Sequence, residues 1–376
     1  MAIVKFGDIV RDVKINVDRA NNPYEHYVAG DHMDSEDLTI HRYGSFETDD
    51  VGPAFTRIFK PGQILYGSRR TYLKKVAVAD FEGICANTTF VLESKDEALF
   101  DNRLLPFIML SDAFTRWSIA HSKGSTNPYV LFSDLADYEF DLPPLAEQKV
   151  LADKLWAAYR LKESYKKLLV ATEEMVKSQF IEMFGCLAER VALSSLCDTF
   201  IDGDWIEAKD QSGSGIRLIQ TGNVGVGTFK DKGDRARYIS EETFNRLNCT
   251  EVVEGDILIS RLPEPVGRAC IIPAGLGKSI TAVDCTIIRL NDKVLPKFFV
   301  AFTNTPDYAM QIKKVLSGTT RLRVSRANLG KIQVPLPSID KQQQFVTIAE
   351  QADKSGFELR KSIDAIDAVI KSLINS

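Results

Sequence analysis

Four polar side chains near the middle of the chain have types that could cut a phosphodiester. Asp202, Asp204, Glu207 and Lys209 include a Glu-x-Lys next to an aspartate, a pattern able to hold a catalytic Mg²⁺. Their spacing is too short to draw them from two separate strands, so they are not read as a nuclease centre. Asn22-Pro23-Tyr24 and Asn127-Pro128-Tyr129 approach the loop that holds the amino group of a flipped adenine, but each lacks the second proline. The glycine-rich Gly222–Gly227 is followed by Thr228-Phe229-Lys230-Asp231, which does not open a helix, so it reads as a loop and not as a cofactor cradle. Six cysteines form no C-x-x-C pair and do not cluster with the four histidines, so neither a zinc site nor a disulfide framework is expected. No Ser/His/Asp or Cys/His set recurs along the chain. A catalytic role, a metal and a cofactor in this chain are therefore not expected.

Charge is more informative. The net charge is −4, which excludes a uniformly basic protein but not a local basic face. Val51–Ala79 contains no acidic residue and six basic ones, Arg57, Lys60, Arg69, Arg70, Lys74 and Lys75. Tyr308–Ile339 repeats the pattern with Lys313, Lys314, Arg321, Arg323, Arg326 and Lys331. Two acid-free windows are what a surface meeting phosphates requires.

The elements that must position these windows are duplicated. Ile64-Leu65-Tyr66-Gly67-Ser68-Arg69 is matched by Ile257-Leu258-Ile259-Ser260-Arg261, an alignment that makes Arg69 and Arg261 equivalent. Lys123-Gly124-Ser125-Thr126 is matched by Ser317-Gly318-Thr319-Thr320, and Leu145-Ala146-Glu147-Gln148-Lys149 by Ile339-Asp340-Lys341-Gln342-Gln343. A repeat this long means a duplicated domain plus its connector. Within each copy, short β-branched runs broken by Gly, Pro, Asn and Asp give way to helical pieces such as Arg103–Arg116 and Pro296–Lys314. A long helix then follows.

The first long helix, from Glu147 to about Phe184, has a heptad-like stripe of Leu151, Ala158, Leu161, Tyr165, Leu168, Thr172 and Met175, interrupted by Lys154. In the second, Phe345, Ala349, Ala352, Gly356, Leu359, Ile363, Ile366, Ile370 and Leu373 form a cleaner seam. Neither apolar face is wide enough for burial in a globular core, so each helix is expected to pair with the other. The fold class is α/β (α+β): two duplicated mixed α/β domains separated by two long helices in an antiparallel coiled coil. The boundaries are 1–142, domain 1; 143–186, helical spacer 1; 187–336, domain 2; 337–376, helical spacer 2. Charges in Met1–Asp8 stand where a signal peptide needs an apolar stretch, so export is not expected and a cytoplasmic location is.

The junction Leu142-Pro143-Pro144-Leu145-Ala146-Glu147-Gln148-Lys149 and its echo Val334-Pro335-Leu336-Pro337-Ser338-Ile339, with Gln342-Gln343-Gln344, resemble the sheet-to-helix junctions of type I restriction–modification specificity subunits. Gly318-Thr319-Thr320-Arg321 through Leu329, Gly255–Arg261, Asp202–Trp205 with Gly215–Ile219, and Arg70–Ala77 add to the likeness, which covers essentially the whole chain. The second junction departs from the pattern, reading Ser338-Ile339-Asp340-Lys341-Gln342.

The resemblance implies a non-catalytic subunit that binds double-stranded DNA, two methyltransferase (modification) subunits and, with them, endonuclease (restriction) subunits. S-adenosylmethionine would belong to the methyltransferase, and ATP and Mg²⁺ to the endonuclease. Each domain would read one half of a split target, with the helices setting the gap. Two other readings stay open: a stand-alone DNA methyltransferase or nuclease, and a coiled-coil scaffold without a DNA role. If the domains read DNA, Arg pairs with guanine and Asn or Gln with adenine. In the first domain the candidates are Arg69, Arg70, Tyr72, Lys74 and Lys75, with Ser125, Thr126 and Asn127 in a second loop. In the second domain they are Arg217, Gln220, Asn223 and Arg261, with Thr320, Arg321, Arg323 and Arg326.

Overall fold

Val10–Asp12, Thr89–Ser94, Ile64–Gly67 and Val76–Val78 lie side by side in that order as an antiparallel sheet. Ile64 stands opposite Leu92 and Tyr66 opposite Phe90. These strands are short because Gly, Pro and Asp interrupt every β-branched run. The computed structural model describes residues 2–18 and 21–375. The chain divides into two units, one of residues 1–166 and 361–376, the other of residues 167–360.

The second unit rebuilds the same sheet from Cys197–Asp202, Cys285–Leu290, Ile257–Ser260 and Ala269–Ile271. Each unit also has a second sheet containing one parallel pair: His26–Val28 beside Gly83–Ala86 in the first, and Ile216–Ile219 beside Ser279–Thr281 in the second. In each, the incoming and outgoing chain pair as a two-stranded ribbon, Ala2–Lys5 with Glu139–Leu142 and Arg190–Ala192 with Gln333–Pro335. A mixed α/β architecture is therefore present twice.

The expected helical piece 103–116 is broken in two. Leu105–Leu110 ends at Ser111, whose Oγ accepts from the Phe114 N–H at 3.2 Å and starts Asp112–Ala120. A serine at an N-cap satisfies a donor that the helix leaves orphaned. Thr305 does the same between Pro296–Phe302 and Pro306–Val315, accepting from the Tyr308 N–H at 3.3 Å.

The long helices are Leu145–Phe184 and Ile339–Asn375. In the second unit, Glu173 meets Arg360 at 3.1 Å, while Phe180 packs on Phe345 with ring centroids 5.2 Å apart. One residue number rises as the other falls, so the helices run antiparallel there. Phe180 and Phe184 close on Phe298 and Phe345, a cage in which each fully buried ring contributes about 1.5–3 kcal/mol. In the first unit, Leu155 and Tyr159 share a core with Ile370, and Lys162 pairs with Asp367.

The seam of the second helix lies where its heptads place it, with Phe345, Ala349, Ala352, Gly356 and Ile370 buried. The seam expected for the first helix is corrected. Leu161, Leu168 and Met175 are exposed, and the inward stripe runs one position away, through Gln148, Ala152, Leu155, Tyr159 and Lys162. Three members of the inward stripe are polar, and in sequence they look like solvent-facing residues. Each is buried with a partner: Tyr159 on Asp37, Lys162 on Asp367, and Gln148 on backbone.

Candidate nucleic-acid interface

Each unit ends its sheet-and-helix layer in a hairpin that projects polar residues. In the first, Lys123 and Tyr129 exchange both backbone hydrogen bonds, at 2.7 and 2.9 Å. Gly124 adopts φ +86° at the bend, a conformation that glycine takes without cost. Ser125, Thr126 and Asn127 form the exposed tip. The returning strand is pinned to the neighbouring loop: Arg70 N–H donates to Pro128 O at 2.7 Å, and Val130 N–H to Ser68 O at 3.0 Å.

In the second unit, Ser317 and Arg323 exchange both bonds at 2.9 Å, Gly318 has φ +103°, and Val324 N–H donates to Arg261 O at 3.3 Å. Thr319, Thr320 and Arg321 form its exposed tip. The hydrogen bonds correct one expected equivalence. Val130 reaches Ser68 as Val324 reaches Arg261, and Ser68 N–H donates to Thr88 O as Arg261 N–H does to Asp284 O. Arg261 is thus the counterpart of Ser68, not of Arg69. The sequence alignment needed a gap to match the two arginines, and the strand register does not contain that gap.

The candidate side chains divide by what already holds them. Arg69 stacks toward the Tyr129 ring at 5.8 Å from its centroid, beside the hairpin. Arg70 and Lys74, at φ 49° and 47°, bracket the turn Thr71–Leu73, from which Tyr72 projects, 53% exposed. Lys74 lies 3.0 Å from Glu36 and 3.4 Å from Asp112, and Lys75 donates to the Gly30 carbonyl. These two ammonium groups fasten the loop around residues 30–36.

Arg217 is paired with Asp231, whose carboxyl it holds below the usual range, and packs toward Phe229. Arg261 donates to Val283 O at 2.6 Å and lies 3.4 Å from Asp202. Asn223 is 4% exposed, its Nδ2 donating to Lys230 O and its Oδ1 accepting from Gln220 N–H, so both residues shape one loop. Arg70, Arg323 and Arg326, by contrast, are exposed and carry no side-chain partner among the described residues.

Two features escaped the sequence reading. Trp205 is 70% exposed on the loop after Cys197–Asp202, where an indole in water is unusual. Arg268 donates to the carbonyls of Thr221, Val224, Pro263 and Pro265 and to Ser260 Oγ, binding the turn at 262–267 to the rest of its unit. An arginine spacing in sequence does not signal such a role.

Asp202, Asp204 and Glu207 do not come together as a group of metal ligands among the described residues. Asp202 faces Arg261, Asp204 accepts from Thr250 N–H at 3.0 Å, and Glu207 pairs with Lys209 at 2.7 Å. Among the described residues, Asp37, His41 and Glu163 are the group whose ligand atoms lie close enough to share a metal ion. The Lys166 ammonium already stands 2.9 Å from Asp37 and 2.8 Å from Glu163, where it supplies the positive charge. Burial pushes Asp37 up, but the Tyr159 hydroxyl, the Thr39 N–H and Lys166 outweigh it and hold it at about 2.

A family model described as the type I restriction modification DNA specificity domain matches residues 24–171 and again residues 189–366. The chain belongs to that family. Among type I relatives, the EcoDI specificity subunit of Escherichia coli is 27% identical over 167 residues, 44% of this chain and 36% of the relative. The MjaVIII specificity subunit of Methanocaldococcus jannaschii is 22% identical over 318 residues, 78% of this chain and 73% of the relative.

The fold has the same affiliation. A chain from a structure of type I R-M complex assembly and conformational transition superposes with a TM-score of 0.58, at 18% identity, covering 99% of this chain and 96% of that one. The type I S subunit from M. genitalium gives 0.57 at 14% identity, covering 99% and 94%. No helix among the described residues is long and apolar enough to cross a membrane.

Proposed function

We propose that this chain is the sequence-recognition subunit of a type I restriction–modification complex, reading a split DNA target and catalysing nothing itself. The observation that carries the reading is the pair of equivalent hairpins, each raising polar side chains that have no partner among the described residues, from a separate copy of the domain. Residues 1–142 and 187–336 would each read one half-site. The helical segments 143–186 and 337–376 would connect them. Modification subunits would dock on the chain and supply S-adenosylmethionine, and restriction subunits would supply ATP-driven cleavage, all in the cytoplasm.

Exposed guanidinium groups that lack a protein partner are suited to phosphate and base edges, whereas those locked in ion pairs are suited to shaping loops. Arg70, Arg323 and Arg326 belong to the first kind and Arg217 and Arg261 to the second. The test is methylome sequencing of a host expressing the chain with its modification subunits. A split motif methylated on both strands is expected. Exchange of residues 1–142 for those of another family member should change one half only, and a change in both halves or in neither would sink the two-reader model.

A further inference from the structure

The two hairpins have the same backbone but present different chemistry at one position. Counting from the paired residues, Lys123 corresponds to Ser317, Gly124 to Gly318 and Asn127 to Arg321. Asn127 and Arg321 are both exposed, and among the described residues neither side chain has a protein partner. Each sits three residues beyond a left-handed glycine and two before the residue that closes the hairpin, so the backbone holds it in a defined place. Their neighbours differ in the same sense. Arg321 lies in a stretch with Arg323 and Arg326 and no acid, while Lys123 is paired with Asp134 at 2.9 Å.

We infer that Asn127 and Arg321 are specificity-determining residues, Asn127 reading an adenine in one half-site and Arg321 a guanine in the other. This inference rests on the DNA-reading role proposed above. A carboxamide offers one donor and one acceptor, matching adenine N6 and N7, and a guanidinium offers two parallel donors, matching guanine O6 and N7. A hairpin is narrow enough to enter the major groove, where these edges lie. Charge neutralisation at a phosphate needs a cation, which Arg321 offers and Asn127 does not, so it is not a role the two equivalent positions share. Replacement of a guanidinium by an amide at one backbone position is instead what two domains with different half-sites require.

The test uses the complex of this chain with its modification subunits. Arg321→Ala should relax one guanine position in one half-site and leave the other half intact, and Asn127→Ala should relax one adenine position in the other half. Discrimination at each position should fall roughly tenfold to a hundredfold. A second measurement needs no change in how well a variant folds. Replacing the target guanine with 7-deazaguanine should weaken the wild-type complex about tenfold or more and leave the Arg321→Ala complex unaffected. If both variants keep every position of the motif, or weaken all DNA evenly, or if the 7-deaza effect persists without Arg321, the assignment is overturned while the split motif still supports the recognition role. Absence of any split motif from the wild type would overturn the recognition role itself.

Discussion

Gln148 and Gln342 make the same three hydrogen bonds, each inside its own unit. Gln148 Oε1 accepts from Asp101 N–H at 2.9 Å, while Nε2 donates to Leu99 O at 3.1 Å and to Pro143 O at 2.9 Å. Gln342 Oε1 accepts from Leu295 N–H, and Nε2 donates to Lys293 O and Pro337 O, all at 2.9 Å. Both side chains are buried at the first turn of a long helix and tie it to the loop that precedes the short helices. The second junction reads Ser338-Ile339-Asp340-Lys341-Gln342 where the first reads Pro144-Leu145-Ala146-Glu147-Gln148, yet it keeps the residue that performs this work.

Gln148→Ala and Gln342→Ala should each cost about 2–4 kcal/mol, since both leave a buried N–H and two carbonyls unsatisfied. Gln343→Ala, one residue along on the exposed face, should stay within about 0.5 kcal/mol. Denaturant melts of the full chain measure the contrast, and equal effects at Gln342 and Gln343 would contradict the clamp.

The corrected helix register makes a second contrast. Leu155→Ala, in the core with Tyr159 and Ile370, should cost about 2–5 kcal/mol. Leu161→Ala, on the exposed face, should change the stability of the isolated chain by no more than about 0.5 kcal/mol. Thermal unfolding of the two variants decides between the two registers.

Asp37 predicts a pH dependence. Its carboxyl is held at about 2, below the ordinary 3.8, so it is ionised more readily in the folded chain than in the unfolded one. The stability it contributes is fully present above pH 3.8 and is lost as pH falls toward 2. Asp37→Asn should therefore destabilise the chain by about 2 kcal/mol at neutral pH, with the gap to wild type closing between about pH 4 and pH 2. A gap that stayed constant through that window would show that the Tyr159–Asp37–Lys166 contacts contribute nothing through charge.

Arg323→Ala and Arg326→Ala should weaken DNA binding by the assembled complex similarly for cognate and unrelated sequences, and each should reduce the salt slope by about 1. A loss confined to cognate DNA would instead make the residue a base reader. Lys74→Ala should act first on stability, because Lys74 is paired with Glu36 and Asp112.

The duplication, the alternation of sheet layer and long helix, and the cleaner heptad seam from Phe345 to Leu373 were legible in the sequence alone. Repeats and periodicity are local patterns, and apolar residues declare their faces by spacing. The first helix resisted the same reading because its inward stripe contains Gln148, Tyr159 and Lys162, whose burial depends on partners supplied from elsewhere: the Asp101 N–H, the Asp37 carboxylate and the Asp367 carboxylate. Composition likewise marked two basic windows but not which cations were free. Lys74 and Arg217 look like Arg70 and Arg321 in sequence, and only the fold brings Glu36 and Asp231 to the first two and leaves the others open to solvent. Repeats and periodicity alone therefore give two similar domains joined by two long helices. Which side chains those domains leave exposed depends on the tertiary contacts, because a charge is available to a partner only where folding has not already neutralised it.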